Sequence, residues 1–106
     1  GAQKDNIART TGHLEPRNDN ERRLRDYVAK VMKFRAENPA MWRGSSEFTF
    51  FEPKNGGKAL VVIKRDTESN NTVAIVFSDT DATVPVRGLD KPVKVKAWVP
   101  ELTVVG

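Results

Sequence analysis

The sequence predicts an α+β, mostly β fold: one N-terminal amphipathic helix followed by a six- or seven-stranded antiparallel β-sandwich. Three observations predict it. Apolar residues recur with a helical period between residues 20 and 39, the period then falls to two, and turn residues punctuate the rest at intervals of about 8–12. With 106 residues and no cysteine, the chain is long enough to bury one core without disulfides or zinc–thiolate staples. Three segments follow: a polar leader over 1–19, the helix over 20–39 and a β-domain over 40–106.

In the leader, Ile7 and Leu14 are the only larger aliphatics, and the stretch reads as a loop. Asp19 or Asn20 is expected to cap a helix running from Glu21 to Glu37, with Glu21 placing negative charge in the first turn. Leu24, Tyr27, Val28, Val31 and Phe34 follow the i, i+3, i+4, i+7 rule and share a face. Arg22, Arg23, Lys30 and Lys33 fall opposite. Asn38-Pro39 ends the helix, because proline disfavours helical backbone in the residue before it. Arg35 falls on the apolar side with Leu24, Val28 and Val31. It is therefore expected either to meet a carboxylate or carbonyls at the junction of helix and β-domain, or to extend its head to solvent.

The strands are expected at Glu47 to Phe51, Ala59 to Lys64, Thr72 to Phe77, Ala82 to Val86, Val93 to Val99 and Leu102 to Val105. Pro53 to Lys58 reads as a hairpin connection with Asn55-Gly56 at its tip. Pro85 marks an edge strand, since it has no N–H for a ladder. Val93, Val95, Ala97 and Val99 alternate with Lys94, Lys96 and Trp98, a pattern for one strand with one wet face.

Candidates for chemistry are few. His13 is the only histidine and, without cysteine, cannot anchor a typical zinc set. Asp79 and Asp81 form a D-x-D pair, but the glycine and distal glutamate of a calcium loop are missing, so both read as turn residues. Asn55-Gly56-Gly57 lacks the G-K-[ST] ending of a phosphate loop. Asn70-Asn71-Thr72 fits the glycosylation rule. No catalytic, metal or cofactor residues are assigned. Trp42, Phe48, Phe50 and Trp98 are the aromatics that could stack on a sugar or base; packing competes for all four, Phe48 and Phe50 read more readily as core, and Trp98 and Trp42 are left as the candidate contacts. The net charge of +4 is spread among acids and reads as a solvated surface rather than a nucleic-acid site. No apolar run reaches the ~18 residues of a membrane span. The compartment stays open.

The stretch Leu24-Arg25-Asp26-Tyr27-Val28-Ala29-Lys30-Val31-Met32-Lys33-Phe34-Arg35-Ala36-Glu37-Asn38-Pro39-Ala40-Met41-Trp42-Arg43-Gly44 resembles the last helix of the catalytic (β/α)8 barrel in the α-amylase family, glycoside hydrolase family 13. There a similar helix ends in an L-R-K-x-N-P-A-L-x-x-G type of phrase. Ala59 to Arg65 and Thr72 to Ser78 look like the central strands of that family's C-terminal β-sandwich. Met41-Trp42 and Phe77-Ser78 depart from its usual residues.

The resemblance implies a non-catalytic C-terminal domain of a retaining α-glycosidase or glucanotransferase. Its first partner would be the barrel of the same parent chain, with an α-glucan as the parent's substrate and a periplasmic or extracellular setting open to that parent. The catalytic aspartate and glutamate of the family have no counterpart in this sequence. Tyr27, Val31 and Phe34, with Arg35, would form the structural junction, and an uncovered helix face is expected to re-dock or to pair with a second copy. An independent carbohydrate-binding module using Trp98 and Trp42 is the alternative, and a basic nucleic-acid-binding module using the Arg22 face is weaker.

Overall fold

The structure, a computed structural model, describes residues 17–105. Among these are one α-helix, one short 3-10 turn and six strands, all strand pairs antiparallel, which is the α+β, mostly β class expected. Ile7, His13 and Leu14 lie outside the described residues. The chain divides within the helix, between Lys30 and Val31, into two compact units.

Helix α1 spans Asp19–Glu37. Its cap is Asn18, one position ahead of the residues expected. The Asn18 side-chain oxygen accepts the Glu21 N–H at 2.9 Å, so an amide that has no intrahelical partner is satisfied and the helix starts two residues early. The Glu21 carboxylate in turn accepts the Arg17 N–H at 3.1 Å. Asn38 ends the helix with extended backbone, φ −128° and ψ 97°, as Pro39 requires of its predecessor. Its Nδ2 donates to the Phe34 carbonyl at 2.9 Å and satisfies one of the terminal acceptors. No residue of α1 is buried.

The 3-10 turn Pro39–Met41 packs on the second and third strands. Gly44, at φ +94°, then admits the chain to the sheet; a Cβ there would run into the Arg65 carbonyl. The strands are β1 Ser45–Phe51, β2 Ala59–Asp66, β3 Asn71–Ser78, β4 Ala82–Val84, β5 Val93–Val95 and β6 Glu101–Val104. One sheet has the order β1-β2-β3-β6, and β4 and β5 form a second.

Side chains alternate across the first sheet. Ala59, Val61, Ala74 and Val76 point to one face and pack with Val84, Val86 and Val95 of the second layer; Phe51, Ile63, Leu89 and Val105 close the margins. Residues on two inner faces enclosing one core is the sandwich arrangement. The other face carries Phe48, Val62, Ile75 and Leu102 in one cross-strand row, with Phe50, Leu60 and Phe77 in the next. Where the 3-10 turn lies against the sheet, Val73 and Ala40 have no exposed surface; away from it Phe48 is 63% and Phe50 79% exposed. The expectation that these two phenylalanines are core is therefore corrected. A period-2 pattern specifies two faces and not which one is covered.

The Val93 to Val99 strand is also corrected. β5 stops at Val95, and Lys96 to Val99 form a tight turn closed by Val99 N–H to the Lys96 carbonyl at 3.1 Å. The reason is competition for the ladder. The Ala97 N–H goes to Asp81 Oδ1 at 2.9 Å and the Trp98 N–H to the Ser78 carbonyl at 2.9 Å.

Candidate functional site

Trp98 sits at the third position of that turn with φ +63°. A bulky side chain pays a backbone cost in this region that glycine would avoid, and such costs persist only where surrounding bonds hold them. Here the holders are the Asp81 carboxylate and the Ser78 carbonyl, which pin consecutive amides. The ring gains little packing in return, being 81% exposed. It borders an open groove of about 380 Å³, with Phe50, Leu60, Phe77 and Pro100 as the apolar walls and Lys58 and Asp79 among the polar groups. Sequence reasoning named Trp98 and Phe50 among the rings that could stack, with core preferred for Phe50, and missed Phe77; the register that sets Phe50, Leu60 and Phe77 side by side is what strand pairing alone supplies.

Trp42 does not join this groove. It is 51% exposed and stacks with the guanidinium of Arg43, 5.0 Å from the ring centroid, a cation–π contact. Arg43 is fixed by Asp66, whose Oδ2 accepts from Nε at 2.9 Å. Asp66 closes the end of the hairpin opposite Asn71, whereas Trp98 is tied to Ser78, opposite Ala59. The two ends are separated by the length of β2, roughly 23 Å at the usual strand rise. The two tryptophans therefore form no common platform.

The remaining candidates serve the scaffold. Asp79 Oδ1 accepts the Lys58 N–H at 2.7 Å and Asp81 Oδ1 the Ala97 N–H, so the D-x-D pair organises loops. Asn55 Oδ1 accepts from the Gly57 N–H and the Thr80 hydroxyl. Among the described residues no three His, Cys, Asp or Glu side chains could hold a metal ion. Asn70, the glycosylation-type residue, is exposed at φ +56°. A wider depression of about 1010 Å³ lies beside Phe51, Pro85 and Val99, with Lys54, Lys94, Lys96, Asp81 and Glu101 as its charged groups.

On α1, Tyr27, Val31 and Phe34 are half-buried, while Leu24, Val28 and Met32 are 64%, 51% and 59% exposed. Arg35 is exposed, and among the described residues no carboxylate or carbonyl is found paired with its guanidinium, so the pairing expected at the junction is not seen. That position is instead secured by uncharged groups, Asn38 and Asn71. On the basic face Arg22 pairs with Asp19 at 4.0 Å and Lys33 with Glu37 at 3.9 Å, so part of its charge is compensated.

In comparison with known proteins, the chain matches no family model, and no curated protein or solved structure is significantly similar. The class is thus set by fold and surface alone. This is a small two-sheet antiparallel β-domain with an uncovered aromatic face, preceded in sequence by an amphipathic helix with an exposed apolar stripe.

Proposed function

We propose that the chain is a non-catalytic C-terminal domain of an α-amylase-type glycoside hydrolase, with a role in covering and stabilising the (β/α)8 barrel of its parent. The observation that carries this reading is the exposed Leu24, Val28 and Met32 stripe on a 19-residue helix without a buried residue. A barrel helix normally lays such a stripe on barrel strands. Burial of three side chains of this size is worth about 1.5–3 kcal/mol each, a strong reason for the stripe to have a partner. Support also comes from the Phe34 to Gly44 phrase, which leads directly into the antiparallel sheet, as in that family. The chemistry in this reading belongs to the parent, a retaining α-glycosidase or glucanotransferase. The genomic reading frame tests it: barrel-coding sequence continuous with residue 1 is expected, and a stop codon directly upstream overturns it.

A second reading has its own observation. The strained and exposed Trp98 beside Phe50 and Phe77 suits the apolar face of a pyranose ring, with Lys58 and Asp79 able to bond to hydroxyls. Titration with maltoheptaose should then quench or shift tryptophan fluorescence, and Trp98→Gly should abolish the response. Glycine fits φ +63° without strain, so this variant should fold at least as stably as the parent. An unchanged spectrum at millimolar sugar rejects the reading.

A further inference from the structure

Among the described residues β1 is the longest strand at the margin of either sheet. Strand order places β1 at one margin of the four-stranded sheet, and its seven residues are exposed from Ser45 to Phe50 and half-buried at Phe51. Strand edges of this kind are normally blunted by charged side chains, proline or a bulge. β1, Ser-Ser-Glu-Phe-Thr-Phe-Phe, carries neither lysine nor proline and a single charge, Glu47, in register with Ile63, and its pairing with β2 runs without interruption from Ser45 to Phe51. The opposite margin differs: β6 has four residues and is preceded by Pro100.

We propose that β1 is a self-pairing edge, through which two copies of this chain join about a two-fold axis perpendicular to the sheet. The occupant is a second copy because the strand is complementary to itself in one register. Antiparallel pairing centred on Phe48 sets Phe48 against Phe48 of the second copy, Ser46 against Phe50, Glu47 against Thr49 and Ser45 against Phe51. All seven residues engage, and the two Glu47 carboxylates are not directly opposed. Centring on Glu47 would oppose them, which is destabilising; centring on Thr49 shortens the overlap to five residues. Antiparallel pairs share a face, so the Phe48 and Phe50 side chains of both copies line one continuous eight-stranded surface. Seven paired positions close about six to eight main-chain hydrogen bonds. Seven residues a side fall short of the roughly 20–30 a side of a standard stable interface, so the association should be reversible and concentration-dependent. It depends on the β1 edge alone and not on the reading of the parent enzyme.

Sedimentation of the whole chain over a hundredfold concentration range tests the proposal. A rise from one to two chain masses is expected, with concentration-dependent protection of the 45–51 amides from hydrogen exchange. Phe48→Lys and, separately, Phe50→Lys should hold the protein at one chain mass; both sites are exposed, and circular dichroism confirms that each variant folds. Leu24→Glu, on the helix stripe, should leave the dimer intact. A single chain mass at every concentration overturns the proposal. So does a dimer that survives both lysine variants, one abolished by Leu24→Glu, or growth beyond two copies.

Discussion

Asp66 gathers four contacts on one carboxylate oxygen. It ends β2, its Oδ2 takes Nε and a terminal nitrogen of Arg43 at 2.9 Å each, and it accepts from both the backbone N–H and the hydroxyl of Ser69. The Ser69 hydroxyl is the main reason its carboxyl lies below the usual aspartate range; burial opposes this, and the hydrogen bond and charge of Arg43 add to it. A carboxyl depressed in the folded state stabilises the fold at pH values above its unfolded pKa, near 3.9. That contribution is lost as pH falls through the depressed folded value. Urea midpoints for the protein and for Asp66→Asn should therefore differ by a constant amount between pH 5 and 8, and converge below about pH 4. A gap that persists unchanged to pH 2 would show that the charge of Asp66 is not what the turn uses.

At the scale of elements, the join between the last helical turn and β3 is a latch of two asparagines. Asn71 Oδ1 accepts the Ala40 N–H at 2.9 Å, Asn71 Nδ2 donates to Asn38 Oδ1 at 3.0 Å, and Asn38 donates to Phe34. Asn38 and Ala40 are buried, so water cannot replace a lost partner. Asn71→Ala should cost about 1–3 kcal/mol, the usual penalty for a stranded buried amide, measured as a lowered urea midpoint with an unchanged m-value. Asn38-Pro39 was legible as a helix stop because proline acts on its neighbour. The other half of the latch was not, since Asn71 lies 31 residues away from Ala40. The same limit explains β5. Alternation from Val93 to Val99 reads alike whether the chain continues or turns, and the group that turns it, Asp81, is 16 residues distant from Ala97. β2 and β3 were legible nearly to the residue, because strands central in a sheet carry apolar runs. The groove at Trp98 was only half legible: the exposed indole was visible in the pattern and Phe50 was named beside it with core preferred, but Phe77 and the register that joins the three were not.

For the molecule as a whole, apolar side chains fall into two populations with different purposes. Val73, Val76 and Val84 are fully buried and belong to the domain's own core. Leu24, Val28 and Met32, with Phe48 and Phe50, are exposed and contribute nearly nothing to its folding. The two populations predict opposite responses to substitution. Val76→Ala removes two methyl groups from a sealed site and should destabilise the chain by about 2 kcal/mol, from transfer plus residual cavity. Leu24→Glu, Val28→Glu and Met32→Glu together replace much more apolar surface, yet each exposed position should shift stability by only about 0.5 kcal/mol. Chemical denaturation of the chain alone should therefore rank the single core change above the triple surface change. If the triple variant proves the more damaging, the helix stripe is part of the chain's own core, and its reading as a surface kept for a partner fails.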